Sequence, residues 1–303
     1  MVNTSRCSVI IPTYDRAGLL GHTLASLTRQ TLPADRFEVL VCDDGSTDDT
    51  AAVVDRYAGR LDITRLFHEH DGFGAGRSRN EGITHATGDV CVMLDSGVLV
   101  HSGCLAAHLD SHAAAGGPHA VIGYVHGYRP GSAAPEGLAD MIDVADPDAT
   151  IERLAGKRLY PDVRDEFYSR YDDDFADLPA PWVMFWTANV SAPTSLLREV
   201  GLFDEQFRTW GGEDLDIAFR LFKAGARFVV NRAATSVKAP HPRDAGNGVE
   251  LARDNHRLMI AKYRSPVIPL LMAMPTINPF NLNDAIDVLG LQPTRGRRPG
   301  SPS

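Results

Sequence analysis

Short apolar runs alternate with stretches of helical periodicity through the first 95 residues, and three of these runs end at Tyr14, Asp43 or Asp95. Ser8–Pro12, Phe37–Cys42, Ile63–Phe67 and Val90–Leu94 read as strands. Arg16–Gln30, with Ala17, Leu20, Leu24 and Leu27 on one face, reads as a helix, as do Thr47–Ala58 and Arg77–His85. Strands that alternate with helices imply an α/β fold with a largely parallel sheet. Ligands of such sheets bind beyond the carboxyl ends of the strands, where Tyr14, Asp43 and Asp95 fall.

The later chain reads less regularly. Residues 127–181 are rich in Asp and Pro and are expected to form an insertion over the sheet, with Tyr171–Asp174 as a solvated acidic face. Trp182–Ser191 is expected as a strand, Leu196–Val200 and Leu215–Ala224 as helices, Phe228–Val230 and Thr235–Lys238 as strands, and Val249–Tyr263 as a helix. Residues 292–303, rich in Pro, Gly, Ser and Arg, are expected to be disordered.

Composition narrows the function. A chain of 303 residues with net charge −9 gains little from nucleic-acid phosphates, so nucleic acid is not an expected partner. Cys7, Cys42, Cys91 and Cys104 match no zinc or disulfide spacing. Buried, reduced cysteines and the lack of a signal-like N-terminus favour a cytoplasmic protein. No run reaches the ~20 apolar residues of a membrane span. Val267–Met274 leaves room for peripheral membrane contact.

Three segments carry a resemblance. Ser8-Val9-Ile10-Ile11-Pro12-Thr13-Tyr14-Asp15-Arg16, Val41-Cys42-Asp43-Asp44-Gly45-Ser46-Thr47-Asp48, and Ser78-Arg79-Asn80-Glu81-Gly82-Ile83 with the following Leu94-Asp95 resemble, in order, the donor-side motifs of family-2 glycosyltransferases. Phe185–Ser191, Val200–Glu205 and Trp210-Gly211-Gly212-Glu213-Asp214 look like the acceptor side of GT-A enzymes. The last of these is similar to a run in β-1,4-galactosyltransferases and polypeptide N-acetylgalactosaminyltransferases. The resemblance implies one GT-A domain with a Rossmann-like, mostly parallel sheet flanked by helices. Residues 1–126 would form its donor half, 127–181 an acceptor-side insertion, 182–265 its catalytic half and 266–303 a C-terminal extension.

The implied reaction moves a sugar from a nucleotide-sugar, here a UDP-sugar, to a hydroxyl-bearing acceptor with inversion. Tyr14 would stack on the base and Asp43 would accept its N3–H, with Pro12, Arg79, Asp95 and Ser96 completing the donor site. Trp186, Trp210, Gly212 and Glu213 would contact the acceptor, and Asp214 would be the general base. At a helix N-terminus both carboxylates are expected to stay ionised near neutral pH. The family pattern Asp-X-Asp reads Asp95-Ser96-Gly97 in this chain. A divalent cation, Mn²⁺ or Mg²⁺, is then expected on Asp95 and His241, weakened or partly replaced by cationic side chains. The same missing carboxylate keeps open an inactive nucleotide-sugar- or glycan-binding relative.

Overall fold

The computed structural model describes residues 5–114, 116–130, 135–241, 248–273 and 275–291. The first strand, β1 (Cys7–Thr13), shows why the sheet is sandwiched. Alternate side chains of a strand point to opposite faces. Cys7, Val9 and Ile11 pack with Leu20, Leu24 and Leu27 of α1 (Ala17–Leu27), while Ile10 packs with Ile83 on the other face. A strand buried on both faces reads as a near-continuous apolar run, as Val9–Pro12 of β1 does.

The remaining donor-side elements follow in order: β2 (Phe37–Asp43), α2 (Thr50–Asp55), β3 (Ile63–Phe67), α3 (Ala75–His85) and β4 (Val90–Leu94). Then come β5 (Val98–Val100), α4 (Cys104–Ala113) and β6 (His119–His126), which periodicity did not reveal. Residues 127–181 carry α5 (Leu138–Met141), α6 (Pro147–Gly156) and α7 (Asp165–Arg170). Asp146 caps α6 by accepting from Ala149 N, and Pro147 stands in its first turn. The chain continues through β7 (Asn189–Pro193), α8 (Thr194–Glu199), α9 (Glu213–Lys223), β8 (Arg227–Lys238), α10 (Gly248–Lys262) and α11 (Leu282–Val288).

The strands form one sheet in the order β3-β2-β1-β4-β7-β6-β8-β5. Strands β3, β2, β1 and β4 run parallel, as do β6 and β8, while β7 and β5 run against their neighbours. The carboxyl ends of β1, β2 and β4 therefore share one edge.

Several sequence expectations change. Trp182–Ser191 is not one strand: Pro181–Met184 is a 3-10 turn and pairing begins at Asn189. Trp182, Val183, Met184 and Phe185 are all buried, and such an unbroken apolar run does not distinguish strand from turn. The helix expected over Thr47–Ala58 is only Thr50–Asp55, because Thr47 N–H donates to Asp15 instead. The two late strands are one strand whose partner register slips between Gly123 and Tyr124. Val267, Ile268 and Leu271 are buried in the core, so this apolar stretch is spent on packing rather than offered to a membrane. Asp173 of the acidic run is paired with Arg232 rather than left to solvent. No helix among the described residues is long and apolar enough to cross a membrane. The tail at 292–303 lies outside the described residues.

Helix α9 is held from behind by a buried carboxylate. Asp216 accepts from Arg220 at 2.5 and 2.9 Å, from Lys262 Nζ at 2.8 Å and from Tyr263 Oη at 2.6 Å. Lys262 also reaches Asp204 at 2.7 Å. Asp216→Ala would strip this cluster of its centre and leave cations partly buried. Removal of one partner from a buried pair costs about 3–5 kcal/mol. Urea unfolding of Asp216→Ala should show a loss near that range; an unchanged midpoint would mean the cluster contributes nothing to stability.

Candidate functional site

The shared strand edge gathers the donor-side residues into two groups. In the first, the turn after β1 and the loop after β2 are laced together. Asp15 N–H donates to Ser46 Oγ at 2.9 Å, Thr47 N–H donates to Asp15 Oδ1 at 2.7 Å, and Ala17 N–H donates to Asp48 Oδ2 at 2.8 Å. Tyr14 stands on this lacing with 42 % of its surface exposed. One face of its ring is covered by His70, with centroids 4.0 Å apart and planes 4° from parallel. His70 Nδ1 is tied in turn to Asp44 Oδ2 at 3.1 Å. Asp43 is fully buried. Its Oδ2 takes Arg65 at 2.6 and 2.7 Å and its Oδ1 takes the Ser46 N–H at 2.8 Å.

The second group is centred on charge. Ser96 Oγ donates to Pro12 O at 2.9 Å, which joins the ends of β1 and β4. Arg79, on α3, is buried and donates through Nη2 to Asp95 Oδ1 at 3.1 Å. Its Nε and Nη1 have no hydrogen-bond partner. Lys238, the last residue of β8, lies 3.3 Å from Asp95 Oδ2 and donates to Ser96 O at 3.2 Å. Asp214 opens α9, where Thr187 donates to it through Oγ1 at 2.7 Å and through N at 3.2 Å. Beside it Glu213 is buried with Oε2 unpartnered.

These groups feel one another. Burial opposes the charge on Arg79, yet Asp214, Asp95 and Glu213 more than offset it and hold its pKa above the ordinary value. Burial likewise opposes the charge on Asp95, but Lys238 and Arg79 keep its carboxyl below the usual range. Burial raises Asp214, with Arg79 and Thr187 resisting. Glu213 is pushed up to about 8 by burial and by the charge of Asp214, with Arg79 opposing. The expectation that the helix N-terminus keeps both carboxylates ionised near neutral pH is corrected here. For Glu213, desolvation outweighs the helix dipole.

The aromatic residues lie apart. Trp186 is enclosed: its indole N–H donates to Val183 O at 2.8 Å, Arg164 lies 5.3 Å from its ring, and Tyr128 and Phe280 tilt against it at 6.1 and 5.9 Å. Tyr128 is near enough to Asp95 and Asp214 that their charges, after burial, hold its phenol protonated. Trp210 is 37 % exposed on a loop that Arg208 ties to Asp71 at 2.6 Å. Gly212 has φ +106, and a Cβ there would meet Asn255 Cβ at 2.9 Å, so the turn into α9 requires glycine.

A divalent cation fits this donor set poorly. Each Asp95 oxygen faces a cation, and Arg16 donates to His241 Nε2 at 3.1 Å. Among the described residues no three His, Cys, Asp or Glu side chains gather in a way that could hold a metal. Lys238, Thr187, His70, Arg65 and Tyr128 escaped the sequence reading. The one available signal was Lys238, a lysine closing an otherwise strand-like run.

Known proteins resemble this chain in sequence and in fold. Residues 8–142 match the model of the family described as glycosyl transferase family 2. The chain is 36% identical over 267 residues to a validoxylamine A glucosyltransferase of Streptomyces hygroscopicus subsp. jinggangensis, covering 88% of this chain and 63% of that protein. It is 28% identical over 269 residues to a hyaluronan synthase of Pasteurella multocida, covering 86% of this chain and 27% of that one. The chain thus spans about three fifths of the first curated relatives it matches, at 63% and 59%. The fold resembles residues 1–349 of S. aureus TarS, with TM-score 0.60 and 19% identity over 94% of this chain and 73% of that one. It also resembles a mannosyltransferase from Pyrobaculum calidifontis solved with GDP-Man and Mn²⁺, with TM-score 0.58 and 20% identity over 94% and 75% of the two chains. The fold is the GT-A arrangement.

The buried acid pair has a thermodynamic signature. A carboxyl whose folded pKa exceeds its unfolded value binds more protons when folded, so stability falls as pH rises between the two values. For Glu213 that window runs from its ordinary value of 4.5 to about 8. Glu213→Gln should therefore raise the melting temperature of the ligand-free protein, with a gain that grows from pH 5 to pH 8. A gain independent of pH, or a loss, would contradict the assignment.

Proposed function

We propose that this chain, whose residues 8–142 match glycosyl transferase family 2, moves a sugar from a nucleotide-sugar to a hydroxyl-bearing acceptor with inversion at the anomeric carbon. The observation that carries the reading is Arg79. It is buried, two of its nitrogens lack partners among the described residues, and the charges of Asp214 and Asp95 act on it. A leaving diphosphate and an attacking hydroxyl need opposite electrostatics a few ångströms apart, and this pattern supplies both.

In this reading Asp214 takes the proton of the acceptor hydroxyl as its oxygen bonds to the anomeric carbon. The bond from that carbon to the phosphate oxygen breaks, and its electron pair leaves with the nucleoside diphosphate. Glu213, held neutral by burial, donates a hydrogen bond to the acceptor. Thr187 fixes the orientation of Asp214 through two hydrogen bonds. Trp186, Trp210 and the turn at Gly212 line the acceptor side, with residues 127–181 as its outer part.

On the donor side the base stacks on Tyr14, with Pro12 and Ser96 fixing the strand ends beneath the ribose and diphosphate. Asp43 reaches the N3–H of a uracil once His70 swings off Tyr14. A UDP-sugar is the donor we favour, on Tyr14, Asp43 and the TarS relative solved with UDP-GlcNAc. Charge on the diphosphate is met by side chains of this chain, because Asp95 and His241 do not form a metal site of the usual kind.

Asp214→Asn should lower kcat by about 10²–10⁴-fold, the usual contribution of a general base, while leaving UDP affinity near that of the native chain. Near-native transfer by a folded Asp214→Asn protein would remove Asp214 from that role. Thr187→Val removes a hydrogen bond that favours the ionised carboxylate, so Asp214 would ionise at higher pH. The acid limb of kcat/KM should shift upward in pH, and a shift downward would contradict the assignment. UDP bound without transfer to any acceptor or to water, across broad donor panels, would instead favour a binding protein descended from an enzyme.

A further inference from the structure

Two buried cations converge on one carboxylate at the end of β4. Arg79 takes Asp95 Oδ1 and Lys238 takes Asp95 Oδ2, at 3.1 and 3.3 Å. The two cations come from distant parts of the chain, α3 and the last residue of β8, and both are more than nine-tenths buried. Asp95 itself keeps 28% of its side chain exposed, so the group opens toward solvent at the carboxylate. Burying an ammonium and a guanidinium together is costly unless anionic oxygens satisfy them. Among the described residues Arg79 Nε and Nη1 have no acceptors, so this group has donor capacity that those residues do not use.

The backbone closes the alternative. Gly97 follows Asp95-Ser96 at φ +86, and a Cβ at that position would lie 3.1 Å from Leu19 Cδ2. Its N–H donates to Thr23 Oγ1 at 2.9 Å and its carbonyl accepts from Ala239 N at 2.7 Å. A second carboxylate at this turn would face α1, away from Asp95. The loop is thus folded around the lysine rather than around a pair of metal-binding acids.

We propose that Lys238 and Arg79 form a two-cation clamp that binds the diphosphate of the donor and carries its developing charge, in place of a protein-held divalent cation. The proposal rests on the glycosyl-transfer reading and specifies how the donor is held. Asp95 keeps the two cations apart and in place before the donor arrives. The diphosphate oxygens then take the unused Arg79 N–H groups and share Lys238 with Asp95. When the bond to the sugar breaks, the electron pair stays on the diphosphate, and the clamp offsets the added charge without accepting or giving a proton. Lys238 is a binding and charge-stabilising residue, distinct from the base at Asp214.

The test is isothermal titration of the full chain with UDP, GDP, dTDP and uridine, in EDTA and again in Mn²⁺. The proteins are the native chain, Lys238→Ala and Lys238→Arg, with thermal melts to confirm folding. The native chain should bind a nucleoside diphosphate in EDTA within about threefold of its affinity in Mn²⁺. Lys238→Ala should lose at least tenfold in EDTA, about the loss of one charge-assisted hydrogen bond. Its uridine affinity should not change, and Lys238→Arg should keep most of the diphosphate affinity. The clamp is overturned if the native chain loses more than tenfold when Mn²⁺ is withdrawn, if Lys238→Ala binds UDP as the native chain does, or if it weakens uridine and UDP alike. Failure of the native chain to bind any nucleoside diphosphate in either buffer would instead sink the glycosyl-transfer reading itself, and the clamp with it.

Discussion

A single buried guanidinium sets the terms of this site. Arg79 is placed where Asp95, Glu213 and Asp214 act on it together, although its own burial works against its charge. In a medium of low effective dielectric, an unpaired charge and an unpaired carboxylate are each expensive. The four groups are therefore tolerable only as a set. Their mutual fields decide which carboxyl is ionised, and so which can act as a base. Arg79 also couples the end of β4, through Asp95, to the field of the carboxylates on α9.

The fold makes this convergence possible by joining two kinds of strand pairing. Parallel β1, β2 and β4 present their carboxyl ends along one edge, which brings Tyr14, Asp43 and Asp95 into line. Antiparallel pairing of β4 with β7 then places Ala188 O 3.2 Å from Asp95 N. Thr187, one residue before it, is thereby positioned to hold Asp214. The donor end of the site is built by strand ends and the acceptor end by a turn entering a helix. Rigid α9, anchored through Asp216, keeps the second in register with the first.

Much of the donor half was legible from sequence because local chemistry coincides with tertiary role there. Apolar runs in β1, β2 and β4 are largely buried, and Asp43 and Asp95 stand where β2 and β4 stop. Asp43 and Asp95 could be picked out in the same way, since each stands where a strand ends, whereas Arg79 and Asp214 were marked by the resemblance of their segments to glycosyltransferase motifs. Lys238 could not be assigned. Its partner, Asp95, is 143 residues away, and only the β5–β8 pairing brings Lys238 level with Val98. Strands β5 and β6 escaped for a related reason: three residues are too few to show a period, and every residue of β6 is buried, so no alternation survives. Local dipole reasoning gave the wrong ionisation for Glu213 because it omits desolvation, which depends on what α10 and the turn at Gly212 pack around it.

Glu213 and Asp214 show how neighbours in sequence acquire different chemistry. Both stand in the first turn of α9, Glu213 buried and Asp214 half-buried, so the dipole acts on both alike. Asp214 receives two hydrogen bonds from Thr187, whereas Glu213 Oε2 receives none. Hydrogen bonds to a carboxylate favour its ionised form, but the backbone hydrogen bonds that reach Glu213 do not outweigh its burial and the charge of Asp214. The first proton to leave the pair is then that of Asp214, and its negative charge holds the second on Glu213. A base and a hydrogen-bond donor side by side are what an incoming hydroxyl requires. An unpartnered buried oxygen is a cost to the folded chain in the absence of ligand, and such costs persist at positions where a substrate supplies the missing partner.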